Sequence, residues 1–391
     1  MRFAGIDVGK TNHFVAVVDE TQQVIVKSRQ FSEDATGYER VVKALGGSED
    51  LLVVMEATGH YWRNLYARLT GAGFQVSVVN AMVPARFAKM ELRRAKTDSM
   101  DAVGLARFAA AMRPKPTPPP EALMRELKDL SRWRARCVQD FGDKVRQLHR
   151  QMDQAFPEIG QVLKSLDTQR ATTLLKRYPS AKVMARARLT TLANLVCDGR
   201  HRLGSEAAEK LSTLARASVG SAGASAETIV VMLCEDLDRL RDRLKKLDAQ
   251  LDKLALQHEL TPLLTSIPGV GVTTAVRILG EVGDPTQFKS GAALAAYVGV
   301  VPATSHSGSR APESAPICPV GHARLRHALW MPTMTAVKVN PWLRTFYERL
   351  VARGKKPKAA MVAAMNKLLQ AVWRIAKERR PFELRTTPTP P

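Results

Sequence analysis

Cysteine is scarce in this chain, carboxylates are too few for its basic residues, and long apolar runs are missing. Each shortage narrows the function classes. The four cysteines, Cys137, Cys197, Cys234 and Cys318, stand far apart with no CxxC pair. That argues against a zinc site and a disulfide framework, and suits a reducing cytoplasm. No segment reaches the ~18 consecutive apolar residues of a membrane helix. The start, MRFAGIDVGK, has no apolar run followed by a cleavage site, so neither secretion nor membrane spanning is expected. Asp and Glu number 37 against 59 Lys and Arg, a net charge of +22. Such an excess fits a polyanionic partner, because each neutralised phosphate releases counterions. It is uneven: residues 301–391 hold 16 Lys and Arg but four Asp and Glu. With 391 residues, two or three domains are expected.

Three short β-rich runs, 2–8, 13–18 and 23–29, are separated by the polar breaks GKTN and DETQ and read as a meander. A helix over about 35–46, a buried strand at 51–55, a helix over about 60–72, a strand at 75–79 and helical segments to about 112 follow. The order βββαβαβα is the layout of the ribonuclease-H-like fold, an α/β domain with a mixed sheet. RPKPTPPPE at 113–121, five prolines in nine residues, reads as a linker. From Ala122 apolar residues step by three or four to Phe156, with Arg132, Arg134, Arg136, Lys144, Arg146 and Arg150 on the other face. Residues 160–225 read as patchy helix. Leu233, Leu237, Leu240, Leu244, Leu247, Leu251 and Leu254 then form the seam of a coiled coil. The seam suits either 122–156 in an antiparallel hairpin or a second subunit, and sequence alone does not choose; it is the sequence feature best suited to hold protomers together. SIPGVG at 266–271 reads as a helix-hairpin-helix turn whose Gly269 and Gly271 amides suit a phosphate.

The chemistry is expected at four carboxylates. Asp7 ends the first strand and Glu56 the fourth; in this layout the two strands are parallel neighbours, and both side chains emerge at the carboxyl edge of the sheet. Asp98 and Asp101, three apart in KTDSMDA, share one helix face. Four converging carboxylates repel one another unless cations sit between them, and oxygen-only ligands suit a hard divalent ion: Mg²⁺ first, Mn²⁺ as the alternative. A lone strand-end Asp is more often a turn former, so the argument rests on all four together. GKT at 9–11 is no P-loop, since GxxxxGK[ST] requires Gly where Ala4 stands.

With these acids placed, the chain resembles the DEDD insertion-sequence transposases of family one-ten, serine recombinases guided by a structured bridge RNA. The resemblance is carried by GIDVGK, MEATGHYW, VNAMVPARFAK and KTDSMDA near the amino terminus. Near the carboxyl terminus it is carried by SIPGVGVTTAVRILGEVGD, ALAAYVGVVP, HSG, GHARLRHAL and the NPWLRTFYERLVARGKKPKAAMVAAMNKLL stretch. It implies a RuvC-like domain over 1–112, a linker and helical coiled-coil region over 113–258, and a mostly helical carboxyl-terminal transposase domain over 259–391. It also implies a nucleophilic Ser307, followed by Gly308, forming a phosphoserine link to DNA. Arg310, Arg324 and Arg326 are candidates to steady phosphate charge. Further implied are DNA partners, a guide RNA, a homo-oligomer (dimer or tetramer), and a cytoplasmic, nucleoid-associated site in a bacterium. Where the family often carries Lys and Gly-Asn downstream of the serine, this chain reads Cys318-Pro319-Val320-Gly321-His322. Taken from residues alone, Ser307 lies in a Ser/Thr-rich stretch of the kind that usually forms a solvated turn. His306 and His322 are proton-carrier candidates with a structural role as the plainer reading, and His60 stands beside the Glu56 motif. Tyr61 and Trp62 are expected to pack their helix rather than stack on bases. The rival functions are a RuvC-like junction-resolving endonuclease and a non-catalytic nucleic-acid-binding scaffold.

Overall fold

The computed structural model describes residues 1–90, 98–119, 121–197, 199, 201–302, 317 and 320–384; of Asp98 and Ser99 only the backbone is described. The chain divides into two units, 1–120 and 121–391.

Unit 1 is built on five strands. β1 (Arg2–Val8), β2 (Asn12–Val18) and β3 (Val24–Ser32) form the antiparallel meander. Then come α1 (Ala35–Leu45), β4 (Leu51–Glu56), α2 (Trp62–Gly71), β5 (Gln75–Val79), α3 (Met82–Met90) and α4 (Asp98–Met112). The sheet order is β3-β2-β1-β4-β5, with β1–β4 and β4–β5 parallel. This is the ribonuclease-H-like arrangement expected from the element order βββαβαβα. Alternation along β1 sends Ala4, Ile6 and Val8 into a core shared with Val41, Leu45, Leu65 and Leu69 of α1 and α2. Phe3 points the other way, to a second core with Leu105, Ala106 and Phe108 of α4. Tyr61 and Trp62 pack against the first core, as expected. The proline-rich stretch does more than link. Thr117 donates from its amide to Val76 O (2.8 Å), accepts at Oγ1 from Val78 N (2.9 Å), and its carbonyl accepts from the Tyr66 hydroxyl (2.7 Å). It covers the open edge of β5, which otherwise presents unpaired backbone groups.

Unit 2 is helical: α5 (Ala122–Ala155), α6 (Gln169–Arg177), α7 (Ala181–Ala185), α8 (Leu189–Ala193), α9 (Ser205–Arg216), α10 (Ala224–Ala255), α11 (Leu260–Thr265), α12 (Val272–Val282), α13 (Gly291–Val298), α14 (Ala323–Val339), α15 (Pro341–Ala352) and α16 (Pro357–Glu378). α5 and α10 form a long antiparallel hairpin: Arg134 pairs with Asp248 near one end and Lys144 with Asp236 (2.7 Å) further along. α6 to α9 fill its far end around Phe156, Leu174, Leu175 and Leu211. α11 to α14 and α16 gather at its base around Leu127, Leu251, Ile278 and Leu368, and α15 packs on α14 and α16 through Leu343.

The hairpin corrects one expectation. Leu233, Leu237, Leu240, Leu247 and Leu251 are buried within the chain, so the seam is closed by α5 and is not the surface that joins protomers. An antiparallel partner on the same chain satisfies the apolar stripe without the entropy cost of association. The arginine face of α5 differs as well. Arg132, Arg134, Arg136, Lys144 and Arg146 each hold a carboxylate of this chain, so that face is largely neutralised internally.

Candidate nuclease site and transposase core

The site begins with a glycine. Gly5 lies where α4 crosses β1, and a Cβ there would collide with the Ala102 carbonyl and the Ala106 amide. Only Gly lets the helix backbone approach the strand this closely. Arg113, just past α4, lies over the Phe3 ring at 5.7 Å. α4 therefore runs antiparallel to β1, and its first turn reaches the carboxyl end of that strand. Asp7, two residues beyond Gly5, shares its face. On β4, Val54 pairs with Gly5 and Met55 with Ile6, so Glu56 stands one step on, beside Asp7. Leu52 and Val54 enter the core beneath α4, which puts Glu56 on that face too. Asp101 immediately precedes Ala102 and arrives at the same edge. Asp98 opens the helix, with its side chain outside the described residues.

The structure thus brings three sequence-expected carboxylates to one sheet edge by three different constraints: strand register, face alternation, and a glycine that sets the helix. Among the described residues no three His, Cys, Asp or Glu side chains are grouped to hold a metal ion. Carboxylate oxygens, as at Asp7, Glu56 and Asp101, are the donor type that a hard divalent cation takes.

Ser307, Gly308, Arg310, His306 and Cys318 lie outside the described residues. The residues flanking them are described. Gly299 (φ +81°) and Gly321 (φ +143°) abut so closely that a Cβ on Gly321 would strike the Gly299 backbone. The His322 amide donates to Tyr297 O (3.0 Å), and Pro302 bridges Ile317. Arg326, read from sequence as a phosphate contact, donates to the carbonyls of Val298 (3.4 Å) and Gly299 (3.3 Å) at the end of α13, where helix carbonyls lack partners. Arg324 is exposed. In the 266–271 turn, Gly269 (φ +95°) is pressed against Ala336 of α14, whereas Gly271, ahead of α12, faces open space.

Sequence reasoning missed a buried charge network. Glu281 on α12, 9% exposed, accepts from Arg132 Nε (2.7 Å) and Nη2 (2.6 Å), and lies 3.2 Å from His322 Nε2. Burial opposes its charge, but hydrogen bonds from His322 and Arg132 outweigh it and bring the carboxyl down to about 2. Arg277, one turn earlier and half-buried, has its pKa lowered by burial and then by Arg134. His322 Nδ1 accepts the Leu325 amide (3.1 Å), so Nε2 carries the proton given to Glu281. Both ring nitrogens are engaged, and His322 is a cap rather than a proton carrier. The available signal was GEVGD at 280–284, an acid in an apolar helix; its partner Arg132 lies 149 residues away.

Among the described residues no helix is long and apolar enough to cross a membrane. A transposase family model of the DEDD, IS110 type matches residues 4–157, and one described as the transposase IS116/IS110/IS902 family matches residues 261–348. An insertion element IS110 protein of 43.6 kDa from Streptomyces coelicolor is 28% identical, covering 98% of this chain and 96% of its own. The pilin gene-inverting protein of Moraxella bovis is 26% identical over 86% of this chain and 83% of its own. An insertion element IS900 protein of 42 kDa from Mycobacterium paratuberculosis is 23% identical over 98% of each. With both family models in their expected order and relatives that run the length of the chain, this protein belongs to the IS110 family of transposases, DNA-binding enzymes that catalyse transposition by transesterification and whose DEDD nuclease domain implies a divalent metal.

Proposed function

We propose that the chain cleaves and rejoins DNA through a phosphoserine intermediate, with the carboxylates Asp7, Glu56, Asp98 and Asp101 and the hydroxyl of Ser307 as its reacting groups, on a target chosen by a structured RNA. One observation carries the reading: Asp7 and Glu56 stand side by side at the carboxyl edge of the sheet, under the helix whose first turn bears Asp98 and Asp101. Mg²⁺ ions held by these four acids would stabilise charge on the attacking and leaving oxygens. The Ser307 oxygen displaces one ester oxygen of a phosphodiester, joining one DNA end to the protein and releasing the other as a hydroxyl. Attack by a hydroxyl end on that link frees the serine and reseals the DNA, conserving the bond energy. His322 is not the base, for its nitrogens are held by Leu325 and Glu281.

The functional division proposed with it is 1–112 RuvC-like, 113–258 linker and helical hairpin, 259–391 transposase domain with the serine. Exchange joins two DNA partners, so at least two protomers act together, through a surface other than the leucine seam. The guide RNA is supported by what the chain lacks, since no zinc-finger spacing or basic-zipper helix is present to read bases.

The test supplies donor and target DNA with and without the transcript flanking the gene, and resolves products on a denaturing gel. A protein–DNA adduct is expected with the wild type, absent in Ser307→Ala, and present in Ser305→Ala and Ser309→Ala. Asp7→Asn and EDTA abolish exchange while leaving DNA binding intact. An adduct surviving in Ser307→Ala moves the nucleophile elsewhere, and site-specific exchange without RNA removes the guide.

A further inference from the structure

The carboxyl-terminal helices carry a feature that neither the carboxylate site nor the serine uses. A cavity of about 1030 Å³ opens between the start of α13, α15 and α16, closed on one side by the chain after α16. Its walls are aromatic and its rim is cationic. Trp342 of α15 and Phe382 lie with ring centroids 5.8 Å apart. The Lys367 ammonium stands 5.9 Å from the Trp342 ring and 5.8 Å from that of Phe346. Trp373 is fixed in place, its indole N–H donating to Phe288 O at 2.9 Å, and the Lys377 ammonium lies over its face at 4.8 Å. Arg374 and Arg380 complete the rim; of the two lining carboxylates, Glu378 is held by Arg374 (2.7 Å) and Glu383 is exposed.

We propose that this groove binds an unpaired nucleic-acid strand, with bases on the Trp342 and Trp373 rings and phosphates on Lys367, Lys377 and Arg380. Three observations choose this occupant. Small-molecule pockets are mostly apolar with a few polar groups, whereas this one is rimmed by four cations. A duplex keeps its base faces stacked on one another and offers phosphates alone, which leaves the two indoles without a role; a single strand offers both groups. The platform is also prearranged: Trp373 is pinned by its hydrogen bond, so little order is lost on binding. Lys377 covers its indole in the free protein, and its flexible stem lets the ammonium turn from ring to phosphate when a base stacks. The strand's chemistry is common to RNA and DNA, and the experiment separates the two. The inference is read by binding alone, so it can fail while the serine and guide-RNA readings stand, and the reverse.

The full-length protein is titrated against fluorescein-labelled oligo-U, oligo-dT and a duplex, each of about a dozen residues, over a range of salt. Wild type is expected to hold the single strands more tightly than the duplex, with the stronger of the two naming the source. Trp342→Leu weakens single-strand binding about tenfold and Trp342→Phe restores most of it, while duplex binding stays within about twofold. Lys377→Glu with Arg380→Glu, both at exposed positions, lowers the salt slope for single strands by roughly 1 to 1.5. These surface changes keep the test valid if the Trp342 variants do not fold. Photo-crosslinked 5-iodouridine is expected on peptides containing Trp342 or Trp373. Crosslinks confined to other peptides, or charge reversals that leave single-strand affinity within about twofold, overturn the proposal. Truncation after Leu384 is expected to leave affinity unchanged within about twofold. Single-strand binding that appears only on truncation makes the chain's own tail the occupant and overturns it as well.

Discussion

The α5–α10 hairpin and the α15–α16 pair are both rich in Lys and Arg, yet they use them in opposite ways. In the hairpin, cations meet carboxylates of the partner helix or of the next turn: Arg134 with Asp248, Lys144 with Asp236, Arg136 with Asp140. In the carboxyl-terminal pair Arg374 holds Glu378, but Arg349 lies over Phe346, Lys367 over Trp342 and Lys377 over Trp373, with few carboxylates nearby. A cation over a ring gains some attraction and keeps its full charge for a phosphate. Counting basic residues therefore overstates the hairpin as a nucleic-acid surface. Pairing, not abundance, decides where a polyanion can bind.

The comparison can be broken at the hairpin's apolar seam, where the largest effect is expected. Leu240 and Leu247 are each 8% exposed, packed with Cys137 between the helices. Leu240→Lys with Leu247→Lys buries two unpaired charges, and unit 2 is expected to lose cooperative unfolding. Thermal denaturation at several protein concentrations checks this. The double variant should melt without a cooperative transition at every concentration, whereas its release as cooperatively folded monomers would place the seam between chains.

Next comes Glu281. A carboxyl whose ordinary value is 4.5 and which titrates at about 2 in the folded chain contributes about 3 kcal/mol at neutral pH. The folded value is depressed, so this stability is fully present above about pH 4.5 and lost as the pH falls through about 2. Glu281→Gln is expected to cost about 3–5 kcal/mol at pH 7, because Arg132 is then left without its carboxylate. Urea unfolding should show the difference between variant and wild type narrowing between about pH 4.5 and 2; a constant difference would count against the charge network.

Smaller effects sharpen the contrast. Lys355→Glu with Lys356→Glu, at exposed positions between α15 and α16, should change stability by less than about 0.5 kcal/mol. The same pair should lower DNA affinity measurably and flatten its salt dependence, as anisotropy titrations would show. Smallest of all, Arg136→Ala removes an exposed i,i+4 pair on α5. Its stability change should be under about 0.5 kcal/mol, and its DNA affinity nearly unaltered if the hairpin face is neutralised as described. A loss of DNA affinity equal to that of the Lys355 and Lys356 pair would erase the distinction between the two regions.

Much of this protein was written locally. Short β-rich runs bounded by polar breaks marked the strands, and the step of three or four marked α5 and α10, because each pattern suits one element. The positions of Asp7 and Glu56 followed from strand order alone, since parallel neighbours in this layout end at one edge. Asp101 joined them through Gly5, whose missing Cβ lets α4 settle on β1, a requirement invisible until the helix and strand are seen together. Tertiary structure alone decided which helix closes the leucine seam, which arginines are neutralised, that Thr117 seals β5, and that Glu281 gathers Arg132 and His322. Apart from the one-turn pairs of Arg136 and Arg146, those outcomes depend on partners tens to more than a hundred residues distant, and no local period encodes the identity of a distant partner.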